Sequence, residues 1–331
     1  MNPEQNKGFR ISIAPMMDWT DRYYRFFMRG ITRECWLYTE MIVARAILNG
    51  DAGRLLAFDE QEHPIVLQIG GDRAQDLARA TRIGADFGYD EINLNVGCPS
   101  DRVQGGNFGA CLMAEPERVA DMVCAMAAAT RLPITVKHRI GIPGADRYED
   151  LARFVELVSR AGCTRFIVHA RIALLNGLSP KENRTVPPLR YADVYQLKSE
   201  FPHVTVEING GIRSLESIQA HLRHVDGVMI GRAAYEDPFL FASIEEKLFG
   251  NEPKTRESVV AHCGAFLEQL VKDGSNPHRL TRHMLGLFYG QPGARAWRRL
   301  LSDQRFLKTS GARCLEHALR QRADERELVQ V

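Results

Sequence analysis

Cys98 is the residue around which a reaction could be built. It follows Glu91-Ile92-Asn93-Leu94-Asn95-Val96-Gly97, where polar and apolar residues alternate, the period-two pattern of a strand with Asn93 and Asn95 on one face. Gly97 permits a turn, and Pro99 fixes φ and removes an amide donor, so the thiol is held at a strand end. Gln104 to Cys111 then forms a glycine-rich connection of the kind that carries sites more often than packing. The competing reading is a buried cysteine acting as a small hydrophobe.

Other polar residues also sit where apolar runs stop: Lys137, His169, Asn209-Gly210-Gly211 and Gly231-Arg232. Two glycine turns and an arginine offer backbone amides and a guanidinium to a phosphate. Lys137 and His169 add a cation and a donor for a planar ligand, and a lysine inside a core requires such a partner. A phosphorylated, aromatic, electron-accepting cofactor meets these demands, and flavin mononucleotide (FMN) is the candidate. Beside a reduced flavin, the Cys98 S–H could give a proton to one carbon while hydride reaches its neighbour, saturating a polarised double bond. No G-x-G-x-x-G follows the first strand, so a dinucleotide site is not indicated. The seven cysteines lack C-x-x-C spacing, so neither disulfides nor a metal site is expected, and no catalytic His and Asn stand in thiol-protease spacing.

Eight short strands are needed to bring these residues together. They are predicted at 10–15, 35–39, 64–69, 91–96, 133–138, 165–169, 204–208 and 227–230, with helices at 21–29, 44–49, 73–87, 116–130, 148–161, 215–223 and 238–249. Strands that are almost wholly apolar and alternate with helices indicate parallel pairing covered on both faces. An open doubly wound sheet would also alternate. A (β/α)8 TIM barrel of ~250 residues brings the polar strand ends to one mouth, and is the expected fold. One connection stands apart: Ile172 to Pro188 has no helical period, and loops of this length are functional or disordered. It carries Lys181 and Arg184.

The alternation stops near Asn251, and helices are expected at 258–272, 280–289, 294–301 and 312–327. The division is therefore 1–250, a catalytic barrel, and 251–331, a smaller helical domain. From Asn276 onward there are 11 Lys and Arg against 5 Asp and Glu, a balance of +6, while the remainder carries −4. Such asymmetry suits a polyanionic partner or a solvated helical surface. Trp297 beside these arginines could stack on a base or fill a core. No apolar run reaches membrane-spanning length and Met1 to Lys7 has no signal-peptide core, so a cytoplasmic protein with reduced thiols, and no membrane partner, is expected.

The runs Ala14-Pro15-Met16-Met17-Asp18-Trp19-Thr20-Asp21-Arg22, Asn93-Leu94-Asn95-Val96-Gly97-Cys98-Pro99-Ser100-Asp101-Arg102-Val103, Val136-Lys137-His138-Arg139-Ile140-Gly141 and Asn209-Gly210-Gly211-Ile212 resemble the tRNA-dihydrouridine synthases, in particular their bacterial A subfamily. The resemblance covers nearly the whole chain. It implies a flavoprotein oxidoreductase with FMN held by Pro15, Met16, Met17, Gln68, Lys137, His169, Asn209, Gly210, Gly211, Gly231 and Arg232, reduced by NADPH. It implies that Cys98 protonates C5 of a uracil while hydride reaches C6, at uridines 20 and 20a of the tRNA D-loop. It further implies tRNA contacts from Asn95, Lys181, Arg184, Arg295, Arg298 and Arg299, and a monomer is expected. A flavin barrel acting on a free metabolite would share the cofactor residues but leave the basic helices unexplained. An RNA-binding protein without chemistry would leave Lys137, His169 and both glycine turns unexplained.

Overall fold

Strands whose residues are buried on both faces must pair in parallel within a covered sheet, and the chain supplies eight. In the computed structural model, which describes residues 8–329, they are β1 Arg10–Ile13, β2 Leu37–Tyr38, β3 Ile65–Gly70, β4 Glu91–Val96, β5 Ile134–Arg139, β6 Arg165–His169, β7 Thr205–Asn209 and β8 Gly227–Ile230. Every residue of β3 and β4 is buried. All pairings are parallel, in the order β1-β8-β7-β6-β5-β4-β3-β2, and the two-residue strand Ile42–Val43 extends the far end of β3. The sheet closes through Trp36, whose N–H donates to Ile11 O and whose carbonyl accepts from Ile13 N, each at 2.9 Å. The expected (β/α)8 barrel is therefore present, followed by a C-terminal helical region.

Alternation along the strands sorts the barrel interior into layers. The first residues of β1, β4 and β6, Arg10, Glu91 and Arg165, meet Glu207 of β7 in a buried ion cluster, with Arg10 Nη1 2.6 Å from Glu91 and Arg165 Nη1 3.1 Å from Glu207. Above it lies an apolar layer of Ala14, Tyr38, Val66, Ile167 and Met229, with Met16 and Trp36 packed against it. The uppermost layer is polar again and forms the candidate site.

The chain divides into two compact units. The barrel unit comprises the residues up to Met17, Cys35–Phe58 and His63–Gly231; the second comprises Asp18–Glu34, Asp59–Glu62 and everything from Arg232 onward. The second unit thus takes in residues 232–250, which precede the division expected from the end of strand–helix alternation. It also takes in the helix Arg22–Arg29, N-capped by Asp21. Trp297 is fully buried, donating its indole N–H to Met284 O at 2.8 Å, so its role is core.

Three local expectations change. The helix expected at 280–289 is only His278–Thr281. Beyond it a Cβ on Gly286 would lie 2.7 Å from Glu236 O, and Met284 O and Leu287 O are capped by Trp297 and Arg256 side chains instead of a helical ladder. The helix expected at 238–249 is Leu240–Ile244 run on as a π-turn, Glu245–Phe249. Helices Tyr191–Glu200, Arg232–Glu236 and Gln304–Ser310 were not expected. No helix among the described residues is long and apolar enough to cross a membrane; Met1 to Lys7 lie outside the described residues.

Candidate active site

Strand register decides which side chains share the mouth. Asn95 lies beside Lys137, Arg139 beside His169, and His169 beside Asn209, and parallel partners point to the same face. Gln68, Asn95, Lys137, Arg139, His169 and Asn209 therefore form one inward row near the strand ends. His138, one residue out of phase, lies in the wall between the Phe154 and Phe166 rings. Its Nδ1 donates to Arg139 O at 2.6 Å, and burial pushes its pKa down to about 4.

Cys98 follows the end of β4 on a loop in which the peptide groups of Gly97, Cys98 and Pro99 are engaged. The N–H groups of Gly97 and Cys98 both donate to Asn95 Oδ1, at 3.1 and 3.0 Å. The Gly97 carbonyl accepts from Arg139 Nε at 3.2 Å, and the Cys98 carbonyl from Ala110 N at 2.9 Å. That last contact needs Gly109, at φ +76°, where a Cβ would lie 2.6 Å from Cys98 O. Gln104 Nε2 donates to Pro99 O and Leu175 O, each at 2.8 Å, tying the thiol loop to the 172–188 connection. The thiol itself is half-buried, 3.4 Å from Ser100 Oγ. With its own N–H and carbonyl engaged, Cys98 has its Sγ left to react.

The row is rich in cations and poor in counter-charges. Among the described residues Lys137 donates to Asn209 Oδ1 at 3.4 Å. Desolvation, with repulsion from Arg139, drags its pKa down to about 7. Arg139 is buried and, among the described residues, hydrogen-bonds the carbonyls of Gly97, Ile172 and Asn183; desolvation brings it down to about 10. His169 is driven well below the ordinary imidazole range, first by burial, then by Arg139, Lys137, Arg171 and Arg184, so it is neutral near pH 7. Buried cations facing one another are costly unless a ligand carries acceptors or negative charge.

The turn after β7 supplies a cradle. Gly210 and Gly211 have φ of +116° and +74°, and a Cβ on Gly210 would lie 2.7 Å from His169 Cδ2. Successive residues in such conformations form anion-binding nests. Tyr191 Oη donates to Gly210 O at 2.7 Å and braces the turn. With the apolar layer beneath, this donor set fits a flat, apolar-faced ring system bearing a phosphate.

Gln68, Asn95, Cys98, Lys137, His169, Asn209 and Gly210 thus come together at the mouth, with Gly231 at the end of β8 and Pro15, Met16 and the exposed Met17 just beyond β1. Lys181 and Arg184 are exposed on the connection after β6. That segment lacks helical period because it folds round buried Asn183, which accepts from Leu174 N at 2.8 Å and donates to Leu174 O at 2.9 Å. Arg232 opens the helix after β8 and falls in the second unit, as do Arg295, Arg298 and Arg299. Those three share the exposed face of Ala294–Ser302, opposite Ala296, Trp297, Leu300 and Leu301. Arg139 was passed over in the sequence although period two from Lys137 places it on the same face; Tyr191 and Asn183 left no pattern to find.

The model of the family described as dihydrouridine synthase (Dus) matches residues 12–323. The chain belongs to the dihydrouridine synthase family. It is 58% identical over 311 residues to a Synechocystis protein, covering 93% of each. A Vibrio vulnificus protein is 53% identical, covering 94% of this chain and 96% of that one. One from Escherichia coli K12 is 51% identical, covering 96% and 92%. Each of the three is named tRNA-dihydrouridine(20/20a) synthase. Family membership makes the chain an oxidoreductase.

Proposed function

We propose that this protein reduces uridine to 5,6-dihydrouridine at positions 20 and 20a of the tRNA D-loop, using FMN and NADPH. The observation that carries this reading is Cys98, with its peptide groups locked and its thiol left over, beside a mouth whose lysine and histidine have no acidic partner among the described residues.

FMN would be held by Pro15, Met16, Met17, Gln68, Lys137, His169, Asn209, Gly210, Gly211 and Gly231, with Arg232 next along the chain. When bound, the flavin supplies the hydride that NADPH delivers to it, and that hydride reaches uracil C6. The protein's part is positional and protic. Lys137 in its charged form offsets negative charge on the ring or phosphate, and neutral His169 can donate one N–H without adding to the cationic load. Cys98 Sγ–H donates its proton to C5, and water returns it between turnovers. Asn95 presents an amide to the base.

A uridine in folded tRNA must be extruded to reach such a site, which costs a few kcal/mol. Phosphate contacts from Lys181, Arg184, Arg295, Arg298 and Arg299 would offset that cost and make affinity salt-dependent. The helical region is accordingly the proposed tRNA-binding domain. The deciding experiment incubates FMN-loaded protein and NADPH with unmodified tRNA transcript and maps dihydrouridine. Product at 20 and 20a, and a loss of about 10²- to 10⁴-fold in Cys98→Ala with FMN and tRNA binding retained, is the expected result. Unchanged turnover in that variant removes Cys98 from the chemistry.

A further inference from the structure

The amide that holds the Cys98 loop is the top of a buried ladder. Cys98 N and Gly97 N donate to Asn95 Oδ1; Asn95 Nδ2 donates to Gln68 Oε1 at 2.8 Å; Gln68 Nε2 donates to Asn93 Oδ1 at 2.8 Å. Asn93 Nδ2 then donates to Thr135 Oγ1 at 2.9 Å, and Thr135 Oγ1 to Glu91 Oε1 at 2.7 Å. Glu91 is ion-paired to Arg10 at 2.6 Å. Asn93 and Thr135 are fully buried, Glu91 and Gln68 nearly so.

The direction of this ladder is fixed from both ends. A backbone N–H can only donate, so Asn95 must turn its oxygen upward and its nitrogen to Gln68. Gln68 must then turn its oxygen to Asn95 and its nitrogen to Asn93, and Asn93 its nitrogen to Thr135. At the other end an ion-paired carboxylate can only accept, so Thr135 must donate downward and accept from Asn93. Both requirements agree at every rung. Without the Thr135 hydroxyl the Asn93 amide loses its acceptor. Flipping Asn93 sets nitrogen against nitrogen at Gln68, and the mismatch passes upward until Asn95 Nδ2 faces two backbone N–H groups. A buried donor is left unpaired wherever it stops.

We propose that Glu91, Thr135 and Asn93 are positioning residues for the proton donor: they lock the Asn95 amide and, through it, the Cys98 backbone. The same lock spends both lone pairs of Asn95 Oδ1, so the one polar group Asn95 retains for a ligand is an N–H. The inference rests on Cys98 being the reacting group, and it is tested so that the two can fail separately.

Thr135→Val keeps the side-chain shape and removes the hydroxyl; Thr135→Ser does the reverse. In FMN-saturated protein, Thr135→Val is expected to lower kcat for dihydrouridine formation about ten- to a hundredfold, with KM for tRNA within about twofold. Iodoacetamide should alkylate Cys98 about three- to tenfold faster in that variant, followed on the Cys98 peptide by mass spectrometry, because the loop opens locally. Thr135→Ser should match the parent in both. Should Thr135→Val not fold, Thr135→Ala against Thr135→Ser gives the same contrast in the hydroxyl alone. A Val variant equal to the parent in kcat and alkylation, or a Ser variant as impaired as Val, overturns the proposal. If the parent forms no dihydrouridine, the functional reading falls and the alkylation comparison alone decides the ladder.

Discussion

The two ends of the barrel interior hold similar numbers of charges and treat them in opposite ways. At the N-terminal end Arg10 and Arg165 meet Glu91 and Glu207, two against two, with Tyr38, Ser12 and Thr135 hydroxyls filling remaining acceptor positions. At the mouth burial is the first cause of the lowered pKa of Lys137, Arg139 and His169, and neighbouring cations add to it, while Cys98 favours the charge on Lys137 and Arg139. The N-terminal set is balanced in charge, although Arg10 Nε and Nη2 are buried without a hydrogen-bond partner. No carboxylate pairs with Lys137 or His169 at the mouth among the described residues, so a ligand with acceptors or negative charge would complete that set, and burial outweighs the help Lys137 receives from Cys98.

That contrast predicts opposite signs for removing a charge at either end. Glu91→Ala leaves Arg10, which is buried, and Arg165 sharing Glu207 alone and is expected to destabilise the protein by about 3–5 kcal/mol, measured by denaturant unfolding of the FMN-free protein. Lys137→Met removes a desolvated cation and should leave stability unchanged or raised, while weakening FMN binding about 10- to 100-fold, the worth of one charge-assisted hydrogen bond. If the two variants destabilise the fold alike, the mouth is not an open network.

The helical region carries the next effect. Arg295, Arg298 and Arg299 lie on the exposed side of their helix, opposite the buried Trp297 face, so changing them leaves that buried face intact. Each contact to phosphate is worth a salt slope of about one. Arg298→Gln with Arg299→Gln should therefore weaken tRNA binding about tenfold or somewhat more near 0.1 M salt and flatten log K against log salt by about two, with NADPH oxidation unchanged. A parallel fall in NADPH oxidation would assign those arginines a structural role.

Most of this architecture was legible because its signals are local. The eight strands lie within one or two residues of the predicted spans, since short apolar runs between polar strand ends admit few alternatives. Much of the inward row was legible as polar residues where apolar runs stop, at Gln68, Lys137, His169 and Asn209, and Asn95 followed from period two; Arg139 was missed because that period was not carried on from Lys137. What else escaped was set by contacts distant in sequence. Tyr191–Glu200 was obscured by the proline-rich loop before it. Residues 282–289 looked helical but are pinned by Gly286 against Glu236 and by Trp297. The ladder from Glu91 to Cys98 joins three strands, and no single stretch announces it.

The smallest effect concerns pH and falls on Lys137. Its pKa stands near 7 in the ligand-free protein because burial, Arg139 and Arg184 oppose the charge, while Cys98 favours it. An anionic ligand stabilises the charged form and raises that pKa, so binding takes up a proton between the free value and the bound one. Affinity for FMN must then fall as pH rises above about 7, by a few-fold per unit and at most about tenfold. A phosphate has its second ionisation near ~6 and adds nothing above pH 7, and His169, held well below its usual range, is already neutral there. For the fold the sign is the reverse: the unfolded lysine holds its proton to about 10.5, so between 7 and 10.5 the unfolded state binds more protons and the FMN-free protein gains stability with pH. Titrating FMN from pH 7 to 8.5 by flavin fluorescence, in the parent and in Lys137→Met, separates this from other ionisations, because the fall in affinity should vanish in the variant; a slope that survives there assigns the proton to another group.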